Sequence, residues 1–178
     1  MEFIVTFFGV GNVRSSLDTV GSIASLPLWI LLTYASRNFR LAVTLLIVAS
    51  FLVLLFFVAL FSVNIYVTEN KLNNPEEVVI DEVLGQLLSF AITMFFIRVN
   101  SNGFLRILVE EHPHTMMAFS FLTPIVLFRV YNIWRPGLVN LVNSRMKNAL
   151  GIMLDDVVAG IFAGLTNVLL IIIFLLML

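Results

Sequence analysis

The chain has no cysteine, two histidines and little charge: Asp, Glu, Lys and Arg make up 12% of its 178 residues. The absence of cysteine excludes disulfides, thiolate metal sites and cysteine nucleophiles. The histidines flank a single proline as His112-Pro113-His114, the ordinary setting of polar loop residues, and no metal site is expected there. A formal net charge of −1 argues against a nucleic-acid partner, which requires a basic surface to displace counterions. Strand alternation and hairpin signals are also missing. Met1-Glu2-Phe3 opens without a basic segment or a small-residue cleavage site, so no signal peptide is expected.

What fills the sequence instead is hydrocarbon. Sixty per cent of residues are hydrophobic and the mean hydropathy is +1.05, against about 45–50% apolar and about 25% charged in a soluble domain. Leu41–Val67 and Val157–Leu178 run 27 and 22 residues without a charge, and each exceeds the roughly 20 residues a helix needs to cross a bilayer. Three shorter runs follow the same pattern: Thr19–Ser36 with Pro27 inside, Val83–Ile97, and His112–Phe128 with Pro113 and Pro124. They fit kinked, re-entrant or tilted crossings, or core helices beside the long ones. The expectation is an all-α membrane bundle of about five apolar helices, one domain over residues 1–178, with a polar site at one membrane face.

The connections are polar. Glu69–Pro75 reads as a turn, and Pro75 followed by Glu76 and Glu77 marks a helix start. Val99–Gly103 reads as a loop, and Tyr131–Leu150 as a short interfacial helix bounded by turns. If all five runs cross, Arg14, Lys71, Arg129, Arg135, Arg145 and Lys147 share one side and Arg37, Arg40, Arg98 and Arg106 the other. Six against four favours the first side as cytoplasmic. The same parity puts two acidic pairs, Asp81-Glu82 and Asp155-Asp156, on that face.

A carboxylate at a membrane boundary loses hydration that a cation, a donor or a proton must replace. Neighbours on a helix point about 100° apart, so one member of a pair can ligate an ion while the other addresses a water or a basic partner. Hard oxygens of this kind suit Mg²⁺, which takes phosphate oxygens as further ligands. The competing explanation is that acids favour helix N-termini, where the macrodipole stabilises them by about 0.3–1 kcal/mol. Each pair is followed one turn later by a glycine, Gly85 or Gly160, where a neighbouring helix could approach closely. Two other segments carry polar groups. Phe8–Ser22 contains Gly9, Gly11, Arg14, Thr19 and Ser22, either a phosphate cradle or an ordinary turn with a helix cap. It is not a Walker loop, because no Gly-Lys-Ser/Thr follows. Phe128–Pro136 offers Arg129 and Arg135 to a phosphate, or, with Tyr131 and Trp134, to the lipid headgroups as anchors.

In chain order these segments resemble the phosphatidylglycerophosphatase A family. The residues that carry the resemblance are Leu17-Asp18-Thr19-Val20-Gly21-Ser22, Asp81-Glu82-Val83-Leu84-Gly85, Phe128-Arg129-Val130-Tyr131-Asn132-Ile133-Trp134-Arg135-Pro136 and Gly151-Ile152-Met153-Leu154-Asp155-Asp156-Val157-Val158-Ala159-Gly160. The resemblance implies a Mg²⁺-dependent lipid phosphatase that converts phosphatidylglycerophosphate to phosphatidylglycerol and phosphate in phospholipid biosynthesis. It implies a multi-pass protein of the bacterial inner membrane with its site on the cytoplasmic face. Asp81, Glu82, Asp155 and Asp156 would be metal-binding and catalytic, with Thr19 beside them; Arg129, Arg135, Ser22 and Asn132 would bind substrate. Four positions depart from the family pattern: Leu17-Asp18 replaces Pro-Gly, Asn132 replaces aspartate and Arg135 replaces lysine. Asparagine offers an oxygen but no charge, and arginine changes hydrogen-bond geometry. Asp18 is a candidate to restore the lost charge. The alternative is a catalytically impaired or non-catalytic membrane relative that binds a lipid headgroup or a protein partner. A homo-oligomer is left open. A transporter or channel is disfavoured because no charge lies mid-span.

Overall fold

The structure, a computed structural model, describes residues 1–12, 17–71, 75, 77–101, 103, 105, 110–137, 139, 141 and 148–178, with only the backbone of residues 12 and 17–19. Among the described residues there is no strand. A short helix α1 (Glu2–Val5) and a 3₁₀ turn (Val10–Asn12) precede five long helices. These are α2 (Leu17–Ser36), α3 (Leu41–Asn70), α4 (Ile80–Asn100), α5 (Pro113–Trp134) and α6 (Ala149–Met177). Helices α3 to α6 are long and apolar enough to cross a membrane, and α2 contributes a shorter apolar helix, Val20–Ser36. All-helical architecture is one of the two that a bilayer permits, since every backbone N–H and C=O must find its partner within the protein.

Polarity decides where each helix sits. Among the four long spans α3 is the most apolar and the least buried, its Leu46, Leu54, Phe57 and Phe61 exposed on the outside of the bundle. Helix α4 carries Asp81, Glu82, Gln86, Ser89 and Thr93, all buried, and occupies the centre. The helix that lipid would tolerate least is thus the one the others enclose.

Side-chain contacts fix the directions. Trp29 of α2 stacks on Phe90 of α4 at 5.6 Å while Gly21 abuts Glu82, so these two helices run parallel. Gly85 of α4 meets Gly160 of α6, and Ile92 meets Gly164, so α6 runs parallel to both. Helix α5 is antiparallel, its Arg129 reaching Glu82 and its Thr123 reaching Asn167. Helix α3 is antiparallel too: Thr44 donates to the Ser36 carbonyl at one end, and Ala59 and Val63 pack with Ile80 and Leu84 at the other. One end of the bundle therefore gathers the starts of α2, α4 and α6 with the ends of α3 and α5.

Several expectations are corrected. Val83–Ile97 and His112–Phe128 are not short: they lie within α4 and α5, helices of 21 and 22 residues. Pro27 neither ends nor divides α2, which continues through it. Pro75 does not open a helix. Its carbonyl accepts from Val78, the described residues 75 and 77–79 are non-helical, and the Val79 amide donates to the Val5 carbonyl, so α4 begins only at Ile80. Helix α5 accommodates Pro124 through a π turn at Ala118–Leu122, since proline lacks the amide that an α turn would use. Asn167 of α6 donates to the Phe119 carbonyl in that turn at 2.8 Å. Tyr131 packs against the bundle, its ring stacked on Phe162 and its hydroxyl meeting Thr166, both on α6. Most of 138–147, where an interfacial helix was expected, lies outside the described residues, as do Arg14, Arg106, Arg145 and Lys147.

Candidate active site

The two acidic pairs are built alike. In each, the first aspartate folds back on its neighbour: Asp81 Oδ1 accepts from the Glu82 amide at 2.9 Å, and Asp155 Oδ1 from the Asp156 amide at 3.0 Å. All four residues are buried, between 4% and 8% exposed. Their helices touch through the glycines one turn later. A Cβ on Gly160 would overlap the Gly85 carbonyl oxygen, and one on Gly85 would collide with the Asp156 carbonyl and the Phe128 ring. The small residues let the two backbones meet, and the contact holds the acidic pairs level with each other.

Helix α5 brings the counter-charges. Arg129 makes a forked pair with Glu82, Nη2 to Oε2 at 3.0 Å and Nη1 to Oε1 at 3.5 Å, with both side chains nearly buried. Arg135, in the left-handed conformation that caps α5, places Nη2 3.7 Å from Asp155 Oδ2. Asp156 has Asp81, Asp155, Arg135 and Arg129 as electrostatic neighbours, and Asp81 has Glu82 and Asp155. The six groups form one cluster in which four carboxylates face two guanidiniums. Burying an excess of like charge is expensive without a further cation or proton.

The macrodipole accounts for half of this arrangement at most. Asp81 and Glu82 stand in the first turn of α4. Helix α6, by contrast, starts at Asn148, whose side chain accepts from the Gly151 amide at 2.9 Å, and its first turn holds no acid. Asp155 and Asp156 lie in its second turn, where the dipole has largely decayed.

The other expected site residues divide. Gly21, next to Ser22, packs against Glu82, a Cβ there overlapping Oε2. Ser22 is fully buried and its Oγ has no hydrogen-bond partner among the described residues. Helix α2 begins at Leu17, so Thr19 and Ser22 lie inside it and do not cap it; the side chains of Asp18 and Thr19 fall outside the described residues. Asn132 is half-buried between the two arginines, and its carbonyl accepts from Arg135 Nε at 3.3 Å. Two residues that the sequence reading passed over adjoin the cluster along α4: Gln86 and Ser89, both fully buried, with Gln86 Oε1 and Nε2 and Ser89 Oγ unpartnered among the described residues. With Glu82 and Thr93 they fall at i, i+4, i+7 and i+11, the spacing of one helix face, which is the signal that could have revealed them.

The donor set is all hard oxygen and suits a cation such as Mg²⁺ in kind. Among the described residues no three acidic or histidine side chains converge on a single point, and Glu82 and Asp155 face arginines. The histidine pair lies elsewhere: His112 packs on Phe174 near the C-terminal end of α6.

Comparison with known proteins gives one match. The family model described as phosphatidylglycerophosphatase A matches residues 3–171. No curated protein and no solved structure matches the chain.

Proposed function

Because the chain belongs to the phosphatidylglycerophosphatase A family, we propose that it hydrolyses the phosphomonoester of phosphatidylglycerophosphate, releasing phosphate and leaving phosphatidylglycerol in the bilayer. The observation that carries this reading is the buried cluster of Asp81, Glu82, Asp155 and Asp156 with Arg129 and Arg135 at one end of the bundle. Such a cluster holds cations and anions together where a headgroup phosphate would enter, while the acyl chains need never leave the lipid.

Arg129 and Arg135 orient the phosphate and offset its charge, with Ser22 and Thr19 as further donors and Asn132 beside them. One carboxylate of the four orients the attacking water and takes its proton. The water oxygen bonds to phosphorus as the ester P–O bond opens, and the departing glycerol oxygen is protonated. Were Asp81, Glu82, Asp155 and Asp156 to draw together around Mg²⁺, the ion would supply neutralisation of phosphoryl charge and acidification of bound water. The proposed location is the bacterial inner membrane with the cluster facing the cytoplasm. Among the described cations Lys71, Arg129 and Arg135 lie at the cluster end and Arg37, Arg40 and Arg98 at the other, so the charge bias rests on residues outside the described set.

The test is phosphate release from phosphatidylglycerophosphate by the purified protein, with and without Mg²⁺. Asp155→Ala should lower turnover by about 10²-fold or more while the helical content is kept; unchanged turnover would falsify the assignment. A second reading, a relative that binds a headgroup without cleaving it, is favoured by Asn132 and by arginines already engaged with carboxylates at 3.0 and 3.7 Å. Release from neither the natural chain nor Asn132→Asp would select it.

A further inference from the structure

At the end of the bundle remote from the carboxylates, α2, α4 and the π turn of α5 enclose a cavity of about 330 Å³. Its polar lining is Arg37, Arg98, Thr33, Thr93 and Ser120, and Trp29 forms part of its apolar wall. Seventeen residues of α4 separate Asp81 from Arg98, about 26 Å at 1.5 Å per residue, so this cavity belongs to the opposite membrane boundary. No carboxylate lines it among the described residues. Glu110 and Glu111, the acids nearest in sequence, are not part of the lining.

The two arginines are held but not neutralised. Arg37 lies over the Tyr34 ring at 4.1 Å, and Arg98 Nη1 contacts Thr44 Oγ1 at 3.5 Å. Thr44 spends its own proton on the Ser36 carbonyl. Neither arginine has an ion-pair partner among the described residues. The lining is graded: Trp29 and Thr93 lie deeper along the parallel helices α2 and α4, and Arg37 and Arg98 near their C-terminal ends. The lining hydroxyls donate to carbonyls of their own helices, so a chamber with an apolar wall and two guanidiniums at its outer edge matches an acyl chain joined to a phosphate, and a zwitterionic headgroup would bring a cation against that edge.

We propose that this cavity binds an anionic phospholipid from the leaflet opposite the carboxylate cluster, its phosphodiester on Arg37 and Arg98 and part of an acyl chain against Trp29. The site is independent of the phosphatase reading and would exist in a protein with no turnover.

Trp29 makes the proposal testable, because the chain's other tryptophan, Trp134, is exposed at the carboxylate end. The full-length chain carrying Trp134→Phe would be placed in bilayers of phosphatidylcholine and phosphatidylglycerol, with one or the other brominated on its acyl chains. Trp29 fluorescence should be quenched by brominated phosphatidylglycerol at about tenfold lower mole fraction than by brominated phosphatidylcholine. Arg37→Gln with Arg98→Gln should abolish that preference, and Arg37→Lys with Arg98→Lys, which keeps the charge, should retain most of it. Equal quenching by both lipids overturns the proposal, and so does a preference that survives the double glutamine variant. Reversal by excess soluble glycerol phosphate would overturn the lipid assignment, since it would mean the site reads phosphate alone.

Discussion

At Gly160 the missing side chain is what matters, because the space a methyl group would take is filled by the Gly85 carbonyl. Backbone on both sides leaves nothing to rotate away. Gly160→Ala should therefore lower stability by about 1–3 kcal/mol, read as thermal unfolding in detergent. Gly103→Ala, where the nearest atom would stand at 3.6 Å, should change it by no more than about 0.5 kcal/mol. Equal effects would show that the helices do not meet through Gly160. Arg129 makes the complementary case. Its pair with Glu82 is nearly buried, so Arg129→Gln alone should be destabilising by about 3–5 kcal/mol by taking the guanidinium away from a buried carboxylate. The double variant with Glu82→Gln should lose less than the sum of the singles, and strict additivity in that cycle would sink the pairing. Both acidic pairs and both following glycines were legible as local spacings. The shared face of Glu82, Gln86, Ser89 and Thr93 was there in the spacing, but the burial of that face and of Ser22 was not, because it depends on which helices pack against α4 and α2.

At the scale of the element, α5 shows how a proline is housed in a membrane helix. The π turn before Pro124 frees backbone carbonyls, and Asn167 answers from α6, donating to Phe119 and Thr93 and accepting from Thr123. Three hydrogen bonds suggest a large effect, yet interhelical bonds within bilayers average only about 0.6 kcal/mol each. Asn167→Leu should thus weaken the fold by about 1–2 kcal/mol, measured by unfolding in mixed micelles; a loss near 5 kcal/mol would mean that the polar knot is worth far more than its bonds. Sequence reading found the helices but misjudged some boundaries. Pro75 with two glutamates behind it has the signature of a helix start, and the pairing of Val79 with Val5, seventy-four positions apart, overrode it. Tyr131 had the composition of an interfacial anchor, and the adjacent Phe162 ring drew it inward.

Across the whole molecule, the parity of five apolar segments correctly placed both acidic pairs at one end, a result no single segment could give. The absence of cysteine provides a clean background for testing it. Single cysteines at Phe39 and at Pro136, both exposed, should react with an impermeant thiol reagent from opposite sides of sealed vesicles. Reaction of both from the same side would refute the five-helix arrangement. Family membership was likewise legible, because its motifs are short and collinear. The relation of the carboxylates to one another was not, since it depends on how α4 and α6 meet.

The central position of α4 also bears on how the protein is made. Carrying two carboxylates and a glutamine, and the most buried of the four long spans, this helix is ill suited to face lipid by itself. The partner that encloses its charged end and completes the cluster, α6, follows α4 and α5 in the chain. A nascent chain halted after α5 would hold Asp81 and Glu82 without Asp155 and Asp156, and so would have a membrane anchor but no centre. The four carboxylates thus come together only once α6 has joined α4, and no intermediate lacking α6 carries the full acidic set into the bilayer.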